Sequence, residues 1–165
     1  MDMNLIAKPD AMNILYDLGK KRVNGRVIHY ELICGIDCRF MNQTLANLLK
    51  QNRFVNIRLA WDFGMGQQYD IKKTISYLVR AGYKPADLMV FMICNWKIPF
   101  TTNCKKLDLC KVWTVKACDC YFDNQTMPNV KPIWWTPGHI SLFRQMVRKH
   151  NQMVLFGIDP EVKQC

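Results

Sequence analysis

Polar side chains stand where three of the predicted strands end. Asp37 and Arg39 follow the first of these strands, Trp61 and Asp62 end the second, and Asn95 follows the third. In parallel α/β folds, ligands meet the carboxyl ends of the strands. Arg39 could hold a carboxylate through two parallel hydrogen bonds, and Asp37 or Asp62 could accept hydrogen bonds from ribose hydroxyls or an amino group. We therefore predict that these residues bind a ligand: Asp37, Arg39, Trp61, Asp62 and Asn95.

Two alternatives stay open at these positions. Asp37 and Asp62 could instead cap the turns or helices that follow them, as aspartate commonly does. Trp134 and Trp135, beside Lys131, could stack on nucleic-acid bases, although such a pair more often packs a loop. The rule of strand ends also selects weaker candidates farther along the chain, namely Trp96, Asp119, Tyr121, Asp123 and Asn124.

The chain has 8 cysteines, which are a second source of chemistry. Cys118 and Cys120 lie on one face of a predicted strand, because strand side chains alternate between the two faces. Together with Cys34 and Cys38 they could form a four-thiolate zinc site. The spacings C-x3-C and C-x-C are not those of the usual zinc knuckles, so thiols in the core or at its rim are the favoured interpretation. No residue is predicted as a metal ligand.

Helices and strands must position these residues, and the apolar pattern predicts that the two alternate strictly. Helices are predicted over 9–22, 42–52, from a cap at Asp70 to a turn at Gly82, over 101–112, and from Thr136 and Pro137 onward. Strands are predicted over 26–34, 55–61, 88–94, 115–122 and 153–158. The continuous apolar run of 88–94 is typical of a strand buried on both faces. Strict alternation favours a parallel sheet with helical crossovers, as an open sheet or a barrel segment.

Length and composition indicate one globular domain over residues 1–165. The sequence has no run of about 18 apolar residues, so we expect no membrane span. It has no basic start followed by an apolar stretch, so we expect a cytoplasmic protein with reduced thiols. The net charge of +10 attracts phosphate groups and makes nucleic acid a candidate partner. The charge is dispersed, however, which favours an ordinary solvated surface.

Three stretches are more specific than a generic α/β pattern. One strand ends in Gly35-Ile36-Asp37-Cys38-Arg39, the next ends in Ala60-Trp61-Asp62 and is followed by a helix that ends in Ala81-Gly82-Tyr83-Lys84, and a third ends in Cys94-Asn95-Trp96. This succession resembles the carboxyl-terminal half of radical-SAM superfamily proteins, especially uncharacterised ones. The resemblance covers roughly residues 5 to 125.

The resemblance implies a partial (β/α) barrel that binds S-adenosylmethionine and a 4Fe–4S cluster for radical chemistry, and it does not identify the substrate. In that superfamily, three cysteines spaced C-x3-C-x2-C hold the cluster, and thiolates are the usual ligands of such clusters. Cys34 and Cys38 have the first of these spacings, but Met41 stands at the third position. The cluster motif is therefore absent from this chain.

The function expected from the resemblance is that of a radical-SAM-type protein that is incomplete in this chain, as a fragment, a split half or a decayed enzyme. One alternative is a non-catalytic half-barrel remnant or partner subunit, and the other is a basic nucleic-acid-binding module. A half-barrel leaves strand edges open, with the strand that starts at Arg26 as one candidate edge. This predicts a homodimer, or pairing with a chain that carries the cysteine triad.

Overall fold

The computed structural model of the chain describes residues 4–95, 97–121 and 135–157. Within these ranges the α-helices are α1 (Ala11–Lys20), α2 (Gln43–Gln51), α3 (Gln68–Arg80), α4 (Phe100–Val112) and α5 (Pro137–Phe156). The strands are β1 (Arg22–Val23), β2 (Arg26–Val27), β3 (Tyr30–Glu31), β4 (Ile36–Asp37), β5 (Phe54–Val55), β6 (Arg58–Trp61), β7 (Met89–Cys94) and β8 (Lys116–Tyr121). No helix in the described ranges combines the length and the hydropathy of a membrane span.

The main sheet consists of four parallel strands that follow one another in chain order, β4–β6–β7–β8. Ile36 lies beside Leu59, Leu59 beside Val90, and Val90 beside Ala117. One of the helices α2, α3 and α4 lies in the chain between each pair of neighbouring strands. The predicted α/β class, with parallel strands and helical crossovers, is therefore confirmed.

The two faces of the main sheet differ in burial. On one face Leu59, Trp61, Val90 and Met92 are fully buried, in a core that they share with side chains of the helices. The opposite face is only half-buried, at Arg58, Ala60, Met89, Phe91, Ile93, Cys118 and Cys120. The prediction that strand 88–94 is buried on both faces is therefore wrong. The apolar run is continuous because the half-buried positions of β7 also carry apolar side chains.

The predicted strand over 26–34 is divided into short strands. Asn24 and Gly25, with φ of 49° and 75°, form the tight turn of a hairpin in which β1 pairs antiparallel with β2. β3 pairs with β5 apart from the main sheet, whose first strand, β4, begins after the predicted range. Asn56, with φ of 51°, likewise divides the predicted strand over 55–61. The edge expected at Arg26 is therefore not an edge of the main sheet.

One predicted helix start and one predicted strand are wrong. α3 begins at Gln68, so Asp70 lies in its first turn and does not cap it. The predicted strand over 153–158 is also wrong, because α5 continues to Phe156 and ends at Gly157, whose φ of 64° suits the residue after a helix. The predicted start of α5 is confirmed, since the Thr136 hydroxyl accepts a hydrogen bond from the His139 N–H at 3.2 Å.

The outer edge of β8 is partly covered by α5. The Asn151 side chain accepts a hydrogen bond from the Ala117 N–H at 2.9 Å and donates one to the Ala117 carbonyl at 2.8 Å. The amide therefore occupies the position at which the backbone of a further strand would pair. Covering an edge in this way opposes edge-to-edge association.

Candidate ligand-binding cleft

A cleft of about 420 Å³ opens on the half-buried face of the main sheet, toward the carboxyl ends of its strands. It is lined in part by Asp37, Arg39, Asp62, Phe63, Phe91 and Cys120. Pockets for small ligands commonly span roughly 300–1,000 Å³, so the cleft has the size of a small-molecule site. It brings together Asp37, Arg39 and Asp62, three of the five residues predicted to bind a ligand.

Asp37 and Arg39 form a hydrogen-bonded ion pair at one side of the cleft. Asp37 ends β4, and its carboxylate accepts hydrogen bonds from the Arg39 backbone N–H and from Arg39 Nε, both at 3.0 Å. The capping alternative for Asp37 is thus confirmed, because this carboxylate closes the 3-10 turn Cys38–Phe40. The hydrogen bond from Arg39 keeps the pKa of Asp37 below its ordinary value. The pair therefore presents an aspartate anion and a guanidinium that is 62% exposed.

Asp62 lies directly after β6 and differs from Asp37 in its surroundings. Burial raises the pKa of its carboxyl group, while the charge of Lys106 acts in the opposite direction. Within the described part of the chain its carboxylate accepts no hydrogen bond. Asp62 therefore does not cap the turn that follows it. The loop that carries Asp62 is held in place, since Trp61 Nε1 donates to the Gly64 carbonyl at 3.1 Å and the Phe63 N–H donates to Gln67 Oε1 at 3.1 Å. The Asp62 carboxylate is therefore held in position and can still accept hydrogen bonds from a ligand.

Two buried polar residues of α4 fix the strand ends behind the cleft. Lys106 is 0% exposed, and its Nζ donates a hydrogen bond to the Trp61 carbonyl at 2.9 Å. Burial lowers the pKa of Lys106 to about 8. One turn earlier, Asn103 is also 0% exposed and donates to the Ile93 carbonyl at 2.9 Å. α4 therefore anchors the carboxyl ends of both β6 and β7.

The remaining predicted residues do not line the cleft. Trp61 is 0% exposed and points to the helix side, where its ring stacks on Trp113 with centroids 5.8 Å apart. Asn95 is 7% exposed and has a left-handed φ of 58°. Of the weaker candidates, Asp119 lies 3.9 Å from Arg144, and the Tyr121 hydroxyl donates to the Ile140 carbonyl at 3.2 Å. The others lie outside the described residues: Trp96, Asp123 and Asn124.

The first two cysteines do not form an iron–sulfur site. Cys38 is 7% exposed, its thiol donates to the Ile36 carbonyl at 3.8 Å, and burial raises its pKa to about 12. Met41, at the position of the third cysteine, is itself buried. Within 4–95, 97–121 and 135–157, no three His, Cys, Asp or Glu side chains are grouped to hold a metal ion, so the four-thiolate zinc site is not formed there either. A cluster that needs three thiolates does not fit these residues.

The net charge of the cleft is opposite to that of the chain. Its lining holds two carboxylates, of Asp37 and Asp62, and one guanidinium, of Arg39, whereas the whole chain carries +10. Asn4 adds an amide oxygen, Oδ1, which is buried and has no hydrogen-bond partner among the described residues. Such a lining favours a ligand that is cationic and rich in hydrogen-bond donors.

Sequence reasoning missed the residues that support the cleft from behind and along its rim. Asn103, Lys106, Leu107 and Cys110 are spaced i, i+3, i+4 and i+7, which is the pattern of one helix face and was the available signal. Phe63 follows Asp62 directly and lines the cleft with a ring that is 67% exposed. Comparisons of the chain with protein-family models, curated proteins and solved structures found no match.

Proposed function

We propose that this chain is a radical-SAM-type half-barrel that binds S-adenosylmethionine in its cleft and lacks the iron–sulfur cluster of that superfamily. The observation that carries the proposal is the meeting of Asp37, Arg39 and Asp62 in one cleft at the carboxyl ends of parallel strands. The strictly sequential strand order supports the half-barrel, because barrels add each new strand beside the preceding one. The α/β class alone does not choose a function, so the proposal depends on the cleft.

The functional groups of S-adenosylmethionine match those of the cleft. Its sulfonium charge suits a lining with one net negative charge, and Asp62 has a free acceptor for ribose hydroxyls or the amino group. Arg39 supplies guanidinium N–H groups for the carboxylate of the ligand. The exposed ring of Phe63 offers an apolar surface on which the adenine can stack.

Cluster chemistry is not part of the proposal for this chain alone. The buried thiol of Cys38 and the apolar side chain of Met41 do not supply the thiolates that a cluster requires. S-adenosylmethionine binding by this half therefore stands apart from radical formation. If radicals form, cysteines outside these 165 residues must hold the cluster.

The alternatives have less support from the cleft. Nucleic acid carries a phosphate backbone that a lining with net negative charge would repel. Trp135, one of the residues proposed to stack on bases, is 6% exposed, and its Nε1 donates to the Ile98 carbonyl at 2.7 Å. Association through the outer edge of β8 is opposed by Asn151. A partner subunit would instead pack on the half-buried face of the main sheet.

We expect the Asp62→Asn variant to bind S-adenosylmethionine about 10- to 100-fold more weakly than the wild type, as hydrogen bonds to a charged group contribute about 1.5–3 kcal/mol. The variant keeps the shape of the side chain but removes the charge that the sulfonium or amino group would meet. Isothermal titration calorimetry measures both dissociation constants. Asp17→Asn, which alters an exposed carboxylate on α1, is the matched control and should bind like the wild type. Equal affinity of Asp62→Asn and the wild type would contradict the assignment of Asp62.

A further inference from the structure

Cys118 and Cys120 form a thiol pair on the half-buried face of the main sheet. They are two residues apart on β8, so their side chains project from the same face, and the two Sγ atoms lie 4.0 Å apart. Both side chains are half-buried and therefore within reach of a small ion from solvent. The cleft that we propose for S-adenosylmethionine borders Cys120 but not Cys118.

The geometry of β8 disfavours a disulfide between these two cysteines. A disulfide needs an S–S distance of about 2.05 Å, roughly half of the 4.0 Å observed here. Residues two apart on a strand have Cα atoms about 6.6 Å apart, near the upper limit for a disulfide. Pairing with β7 along the whole of β8 also prevents the backbone from bending to shorten that distance.

The same separation suits two thiolates that share one metal ion. With metal–sulfur bonds of about 2.3 Å, a 4.0 Å separation of the sulfurs corresponds to a sulfur–metal–sulfur angle of roughly 120°. The two sulfurs therefore lie at a separation that one metal ion can bridge.

The surroundings of the pair select a soft ion of low coordination number. Phe91 lies beside Cys118 and Ile93 beside Cys120 on the neighbouring strand, and Arg58, whose guanidinium lies over the Phe91 ring, adds a positive charge near Cys118. No third His, Cys, Asp or Glu joins the two thiols within the described ranges, whereas protein zinc sites use three or four such ligands. Thiolate donors select Cu(I), zinc and iron–sulfur clusters, and Cu(I) is left when the sites that need three or four protein ligands are set aside.

We infer that Cys118 and Cys120 form a two-thiolate binding site for Cu(I), a function separate from the proposed binding of S-adenosylmethionine. Binding displaces both thiol protons, so that each sulfur coordinates as a thiolate. Because both side chains are only half-buried, a further small ligand from solvent can complete the coordination of the ion.

Anaerobic competition between the protein and the Cu(I) chelator bicinchoninate tests this site. We expect the wild type to hold one Cu(I) equivalent that Cys118→Ser and Cys120→Ser each lose. Cys104→Ser is the matched control, because Cys104 is also half-buried but lies on α4, and it should retain that equivalent. Retention of the equivalent by Cys118→Ser or Cys120→Ser, or its loss from Cys104→Ser, would overturn the inference.

A second measurement needs no variant and so does not depend on how the variants fold. Iodoacetamide alkylates a thiolate by forming a sulfur–carbon bond while iodide leaves, and peptide mass spectrometry locates the modified cysteines. One equivalent of Cu(I) should protect Cys118 and Cys120 of the wild type, while Cys104 stays as reactive as in the metal-free protein. Equal protection of all three, or of none, would count against the site.

Discussion

Replacing Trp61 by alanine is expected to lower the free energy of unfolding by about 3–5 kcal/mol, a large share of the stability of a single domain. The side chain is 0% exposed, stacks on Trp113, and lies 5.3 Å from Lys106 Nζ, measured to the ring centroid. Its removal leaves a cavity on the helix side of the sheet. It also removes the hydrogen bond to the Gly64 carbonyl, which holds the loop that carries Asp62. Urea unfolding followed by circular dichroism measures the loss.

Trp61→Phe is the informative control for this prediction. It keeps an aromatic ring against Trp113 and loses mainly the N–H donor and part of the ring volume, so we expect a loss of only about 1–2 kcal/mol. Both variants should bind S-adenosylmethionine more weakly than the wild type, because the Asp62 loop loses the same hydrogen bond in each. A free energy of unfolding of Trp61→Ala within about 1 kcal/mol of the wild-type value would contradict this structural role of Trp61.

Lys106→Met is expected to remove a specific pH dependence of stability. Burial lowers the pKa of Lys106 from 10.5 in the unfolded chain to about 8 in the folded protein. Between these values the unfolded state binds more protons, so the unfolding free energy of the wild type rises with pH across this window, and the penalty for the buried charge is fully present below pH 8. At about 1.4 kcal/mol per pKa unit, the wild type should gain about 3 kcal/mol relative to the variant across the window.

The comparison with a variant is necessary because other groups titrate in the same pH range. Burial raises the pKa of Cys94 and Cys110 to about 12, and these thiols make stability fall with increasing pH. They are present in both proteins, so the difference between the wild-type and Lys106→Met curves reports the lysine together with the effect of its charge on these thiols. Lys105→Met, at an exposed position of the same helix, should follow the wild-type curve. A constant difference between wild type and Lys106→Met from pH 7.5 to 10.5 would contradict the buried-lysine interpretation.

Periodicity predicted the framework of the fold because helix and strand patterns are local. Thr136, Pro137 and the apolar residues after them defined the start of α5, and Gly82, with φ of 99°, occupies the predicted turn after α3. The prediction failed where the local pattern was compatible with both a helix and a strand. The apolar residues 153–156 fit a strand as well as a helix, and in the protein they extend α5.

The site was only partly predictable for a different reason. The rule of strand ends found Asp37, Arg39 and Asp62, but it cannot say which way a residue at a strand end points, and Trp61 turned out to face the core. Lys106 could not be placed in the core by composition, because lysine is rarely buried without a partner. That partner, the Trp61 carbonyl, comes from a strand 45 residues away in the chain, so only the tertiary structure reveals it.

The most direct test of the account is calorimetric titration of the wild-type protein with S-adenosylmethionine and, separately, with S-adenosylhomocysteine. The two ligands share the adenine, the ribose, and the amino and carboxylate groups, and they differ in the methyl group that gives the first its sulfonium charge. We predict binding of S-adenosylmethionine at one ligand per chain, and weaker binding of S-adenosylhomocysteine because the cleft carries a net negative charge. No binding of S-adenosylmethionine at millimolar concentration, or tighter binding of S-adenosylhomocysteine, which lacks the sulfonium charge, would contradict the proposed function.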